Sequence, residues 1–154
     1  MKINDDDLLV FTTDTLIGLG GKVSDVILEK IYEIKKRPID KKMIILVGSL
    51  AQAQSFSQWN LKANKQAQKY WPGATTLIVN DQGFRMPKNK ALCKFLIEQG
   101  PLYTTSANLS GFENIKTLDE AKKIFPQIKH FIDFGKGSGI PSQIIDIDKN
   151  IKIR

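Results

Sequence analysis

Apolar residues along this chain alternate between two patterns, short unbroken runs and a 3.6-residue helical spacing. Residues 8–12 (Leu-Leu-Val-Phe-Thr), 43–47 (Met-Ile-Ile-Leu-Val) and 76–79 (Thr-Leu-Ile-Val) are runs of the first kind and predict strands. The continuous run at 43–47 suits a strand covered on both faces. Residues 25–36 carry Val26, Ile27, Ile31 and Ile34 at helical spacing, with Ser24 or Asp25 as N-cap. Pro38 is expected to stop that helix. Helices are also predicted over 50–57, 61–70 and 89–99, the last with Gly100 as its C-cap. The Thr117-Leu-Asp-Glu120 capping box predicts another, through about Phe125. Phe84-Arg85-Met86, 102–105 and 131–134 read as strands, and 143–146 with 151–153 as a terminal hairpin. Strands and helices alternate with no linker, repeat or low-complexity tract, which argues for an α/β fold in one domain over residues 1–154. The strand pairs near 76–86 and 143–153 make its sheet mixed.

The length of 154 residues suits one domain with a real core. Hydrophobic residues make up 42% and charged residues 25%, a soluble globular balance. No apolar run approaches the roughly 20 residues that span a bilayer. The start of the chain is acidic where a signal peptide would be basic, so a cytoplasmic, membrane-free protein is expected. The single Cys93 excludes an intramolecular disulfide and a multi-cysteine zinc site. A formal net charge of +7 favours polyanionic partners, nucleotides or nucleic acid among them.

Against that charge, residues 104–111 (Thr-Thr-Ser-Ala-Asn-Leu-Ser-Gly) stand out. Six of the eight are small and four carry a hydroxyl. Such a stretch buries little apolar area, but it can line a cavity with short donors and acceptors or turn its amides toward an anion. The same composition also makes ordinary turns. Thr13 and Thr15 place two hydroxyls on one side of a strand end, ahead of three glycines within Gly18-Leu19-Gly20-Gly21. Those glycines mark a turn or a close backbone approach. From Lys35 to Lys42 there are five cations in eight residues, enough to converge on a triphosphate or simply to be solvated. Arg85 lies between apolar Phe84 and Met86, so it faces away from both: a carboxylate or phosphate fork on an inner face, a solvated side chain on an outer one. Trp71-Pro72-Gly73 reads as a rigid aromatic turn that could stack a base but better suits a Trp at the core edge. The glycine-rich loop 135–142 lacks the ending of a phosphate loop. His130 reads as a structural or surface residue and Cys93 as a small core residue, and no triad, nucleophile elbow or metal-ligand spacing is present. Cations, hydroxyls, an Asn and glycines suit transfer chemistry run by positioning and charge neutralisation.

Taken in order, Thr13-Asp14-Thr15-x-x-Gly18-Leu19, Lys35-x-Arg37-Pro38, Trp71-Pro72-Gly73, Arg85-x-Pro87, Ser106-Ala107-Asn108-x-Ser110-Gly111 and Pro141-Ser142-x-Ile144-x-Asp146 resemble the YrdC/TsaC family of L-threonylcarbamoyladenylate synthases. The resemblance runs from about residue 8 to the end. It implies an α/β domain whose twisted mixed sheet, flanked by helices, surrounds a concave basic cavity. It implies synthesis of threonylcarbamoyl-AMP from L-threonine, bicarbonate and ATP with release of pyrophosphate, for the N6-threonylcarbamoyl modification of adenosine 37 in tRNA. No protein nucleophile is needed for that reaction.

Position by position, the resemblance makes Lys35, Arg37, Ser106 and Asn108 the catalytic set. These four would bind ATP together with Ser110 and Ser142. Thr13, Thr15, Arg85 and Thr104 would bind threonine, Arg85 taking its carboxylate. Mg2+ would come with the nucleotide, and downstream tRNA threonylcarbamoyl-transferase proteins would use the product. The chain departs from the family at Thr12, Ile17 and Gln143, and its segment before residue 8 is short. A module of the same fold that binds double-stranded RNA or tRNA is the alternative. The carbamoyl-transfer domain of hydrogenase maturation proteins fits less well, since its neighbouring Cys-x-x-Cys fingers are missing here.

Overall fold

A computed structural model describes residues 1–36, 43–109 and 111–154. These form a nine-stranded sheet and five helices. The strands are β1 (Leu9–Phe11), β2 (Gly18–Lys22), β3 (Ile44–Leu46), β4 (Thr75–Val79), β5 (Gln82–Arg85), β6 (Leu102–Ser106), β7 (His130–Ile132), β8 (Gln143–Asp146) and β9 (Ile151–Lys152). They lie in the order β7-β1-β2-β6-β3-β5-β4-β8-β9. The β1–β7, β3–β5 and β4–β8 pairs are parallel and the others antiparallel, so the sheet is mixed, as the pattern predicts.

The helices are α1 (Asp25–Lys35), α2 (Leu50–Gln54), α3 (Leu61–Tyr70), α4 (Lys90–Gln99) and α5 (Leu118–Ile124). Each has a side-chain N-cap, from Ser24, Ser49, Asn60, Asn89 and Thr117 respectively. Three apolar clusters follow from strand alternation. On β1, Val10 joins Ile27 and Ile31 of α1, whereas Leu9 and Phe11 join Leu92 and Leu96 of α4. Phe84, Leu77 and Val79 pack with Ala63 and Ala67 of α3. Trp71 stacks at 5.2 Å on Trp59 beside this third cluster, which makes it the expected core-edge residue. No helix among the described residues is long and apolar enough to cross a membrane.

Of the two readings of Gly18–Gly21 the close approach holds, for the stretch is most of β2 rather than a turn. A Cβ on Gly20 would come under 3.0 Å from the backbone oxygen of Tyr103 on β6. Val26 is 52% exposed, because the buried stripe of α1 runs Ile27, Ile31, Lys35 at four-residue intervals. The same helix closes at Lys36, in the left-handed region with φ 52°, before Pro38, which lies outside the described residues.

The N-terminal segment is tied down. Ile3 is fully buried, and its N–H donates to Gln99 Oε1 at 3.1 Å. Asp7 accepts the Asn4 N–H at 2.8 Å and faces His130 Nε2 at 3.2 Å, which gives His130 the structural place expected of it. The backbone N–H of Asn4 and the neighbouring His130 hold the Asp7 carboxyl below its ordinary value, against a smaller opposing effect of burial.

Two outcomes follow. Gly20→Ala should lower unfolding stability by about 3 kcal/mol in urea titrations, an overpacking cost. A loss below about 0.5 kcal/mol would mean that β2 and β6 tolerate a side chain there. A lowered carboxylate pKa gives stability that is complete above 3.8 and fades as the pH falls below it. Urea midpoints of the wild type and Asp7→Ala should therefore differ at neutral pH and converge in acid. A constant gap would remove the carboxylate from the account.

Candidate functional site

One sheet face, from β2 across to β8, opens into a cavity of about 810 Å³. Its polar lining comes in three groups.

The first group is built around Arg85. Phe84 is fully buried in the core, so alternation turns Arg85 into the cavity, which settles the orientation the sequence leaves open. Its side chain is 5% exposed. A guanidinium this buried needs a counter-charge, and Asp14 supplies it: Nη1 donates to Asp14 Oδ1 at 2.7 Å. Nη1 also donates to Gly73 O at 3.1 Å, and Nη2 to Thr15 Oγ1 at 3.0 Å. The other Asp14 oxygen accepts the Lys88 N–H at 2.9 Å. Thr13 and Thr15 hydroxyls stand 3.2 Å apart. Thr13 Oγ1 donates to Leu16 O at 2.6 Å, so the Thr15 hydroxyl donates to Thr13. Arg85 thus keeps Nε–H and one Nη2–H without an acceptor among the described residues, a fork open to a carboxylate.

The second group is built around Lys35. As the last residue of the buried stripe of α1 it is 4% exposed, and its ammonium reaches β6. Nζ donates to Ser106 O at 2.7 Å and to Thr105 Oγ1 at 3.2 Å. Thr104, Thr105 and Ser106 all line the cavity.

The third group lies across the sheet. Thr76 Oγ1 and Ser142 Oγ are 2.8 Å apart, and Ser142 O accepts Arg154 Nε–H at 2.7 Å. Thr76, Ser142, Asp146 and Arg154 line this end.

Of the residues expected from sequence, Lys35, Ser106, Ser142, Thr13, Thr15, Arg85 and Thr104 therefore share one cavity. Arg37 and Ser110 lie outside the described residues. Asn108 does not line the cavity. Its Nδ2 donates to Leu109 O at 3.0 Å and Phe112 O at 2.9 Å, tying its own loop together, while Oδ1 is buried without a partner among the described residues. Cys93 is half-buried rather than fully within the core. Burial first, then the Asp14 charge, push its thiol up, and Sγ donates to Pro87 O at 3.1 Å.

Sequence reasoning gave no role to Asp14, Thr76, Thr105 or Arg154. Asp14 had a signal: an arginine amid apolar strand residues demands a carboxylate, and Asp14 sits between the two threonines. Thr76 had none, since its partner is 66 residues away.

The Sua5/YciO/YrdC family, described as "Telomere recombination", matches residues 1–154. A relative from Methanocaldococcus jannaschii, a putative threonylcarbamoyl-AMP synthase, is 32% identical over 170 residues, covering 99% of this chain and 81% of that protein. A threonylcarbamoyl-AMP synthase from Bacillus subtilis is 27% identical, covering 98% of this chain and 49% of its own length. The structure of Pyrococcus abyssi Sua5 complexed with L-threonine aligns with a TM-score of 0.82 at 27% identity, over 92% of this chain and 47% of that one. Escherichia coli YciO shares the fold, with a TM-score of 0.78 at 23% identity over 97% and 82% of the two chains. The chain thus spans about half the length of the B. subtilis and P. abyssi proteins and most of the M. jannaschii one. By profile, by sequence and by fold, the chain belongs to the Sua5/YciO/YrdC family.

Proposed function

We propose that this protein is an enzyme that joins L-threonine, bicarbonate and ATP into L-threonylcarbamoyl-AMP, a nucleotidyl transfer that releases pyrophosphate and feeds threonylcarbamoyl modification of tRNA. The observation that carries the reading is one cavity with a carboxylate fork at Arg85 and a buried ammonium at Lys35. An amino acid held by its carboxylate and an anion held at the ammonium are the two charged substrates this reaction must bring together. The names of the M. jannaschii and P. abyssi relatives support the same chemistry.

On this reading Arg85 takes the threonine carboxylate, and Thr13, Thr15 and Thr104 surround the rest of the amino acid. The threonine amine and bicarbonate condense to a carbamate with loss of water. A carbamate oxygen then attacks the α-phosphorus of ATP, and pyrophosphate leaves with the electron pair of the broken P–O bond. Lys35 and Ser106 face the phosphates, and Ser142 stands at the far end with Thr76. Arg37 and Ser110 keep the nucleotide roles that the family motifs imply. Asn108 enters as the residue that braces the loop bearing Ser106.

Magnesium would arrive on the triphosphate. The described residues include no group of three or more His, Cys, Asp and Glu side chains placed to hold it, and no step is assigned to it. The net charge of +7 favours a tRNA or double-stranded RNA contact as well, with tRNA threonylcarbamoyl-transferase proteins as the users of the product.

Pyrophosphate release should require threonine, bicarbonate and ATP together. Lys35→Met should reduce it by about two orders of magnitude, the scale of losing one preorganised charge, with the circular dichroism spectrum unchanged. Release that persists without threonine, or wild-type turnover in Lys35→Met, would overturn the assignment. Tight RNA binding with no release would favour a binding module.

A further inference from the structure

Thr13, Thr15, Leu16 and Ile17 line the 810 Å³ cavity and also a second one of about 1120 Å³. Ile17 anchors the far end of this stretch in the core, whereas Thr13 and Thr15 are buried polar residues whose place must be set by hydrogen bonds. Arg85 holds one point of the loop, through Asp14 and Thr15.

The other hold is the glycine-rich segment that neither the fold nor the reaction above uses. The Ser138 N–H donates to Asp14 O at 2.9 Å and the Gly139 N–H to Thr15 O at 3.0 Å. Gly137 lies flat against the same backbone. A Cβ there would come under 3.0 Å from the carbonyl oxygens of both Thr13 and Thr15. Neither oxygen is the end of a flexible side chain, so the loop itself would have to shift. Only three residues beyond Gly139, Ser142 bonds to Thr76 at the opposite end of the cavity.

We propose that residues 137–139 form a backbone clamp that sets the position of the Thr13 and Thr15 hydroxyls. Gly137 is then a positioning residue for the amino-acid end of the site, required because only hydrogen fits against the two carbonyls. Its identity as the threonine end rests on the function proposed above. The clamp acts through main-chain N–H groups, so the Ser138 side chain, whose hydroxyl among the described residues bonds only within its own loop to Ile140, is not part of it.

The test combines amide hydrogen exchange with calorimetric binding of L-threonine to the full chain. In the ligand-free wild type the Ser138 and Gly139 amides should be protected. Gly137→Ala should speed their exchange and that of Thr15, and should weaken threonine binding by about tenfold or more, since small misplacements of binding groups carry large penalties. Ser138→Ala should leave both unchanged. Unaltered exchange in Gly137→Ala, or faster exchange with wild-type threonine affinity, would overturn the proposal. If Gly137→Ala does not fold, the wild type decides: threonine should slow exchange at Ser138 and Gly139, and no slowing overturns the clamp. If threonine fails to bind the wild type, the functional reading falls, and the exchange rates of the ligand-free proteins still decide whether the clamp exists.

Discussion

The site depends on one buried ion pair. Arg85 and Asp14 are only 5% and 15% exposed at their side chains, and the charges meet at 2.7 Å. An unpaired charge at that depth is costly, so neither residue can hold its place without the other. The pair also connects distant pieces of chain. Asp14 reaches the Lys88 N–H and Arg85 reaches Gly73 O, so the β1–β2 loop, the end of β5 and the start of β4 meet at one point. What remains of the guanidinium faces the cavity with hydrogens to spare.

Lys35 solves the same problem differently. A helix that buries Ile27 and Ile31 carries the next residue on that stripe into the interior as well, and here that residue is a lysine. Its ammonium meets oxygens of β6. The small residues of β2 allow this geometry. With glycine at position 20, β2 lies close enough to β6 for Leu19 to pack inward and Gly18 to line the cavity opposite Ser106.

Much of this was legible from residue pattern alone. Helix caps at Ser24 and Thr117 and the runs at β3 and β4 declare themselves locally, because caps and periodicity are short-range signals. The alternation at Phe84-Arg85-Met86 showed that Arg85 faces away from the core, but not toward what. That depends on β5 lying between β3 and β4 at the centre of the sheet. What was left open has a similar cause. Gly18–Gly21 could serve a turn or a close approach, and only the tertiary contact with Tyr103 decides for the second, within a strand. The bonds of the Asn108 amide nitrogen to Leu109 O and Phe112 O likewise have no local signal. The Thr76–Ser142 contact joins β4 to the residue just before β8, and no local signal announces the pairing of those parallel strands.

The central claim is that Asp14 and Arg85 act as a unit to present a carboxylate fork. It is tested most directly by a double-mutant cycle of Asp14→Asn and Arg85→Lys, read as L-threonine affinity by calorimetry. Lysine keeps the charge but loses the planar fork. Each single variant should weaken threonine binding, and the double variant should be no worse than the poorer single one, with a coupling of about 1 kcal/mol or more. Additive losses, or threonine binding unaffected by Arg85→Lys, would contradict it.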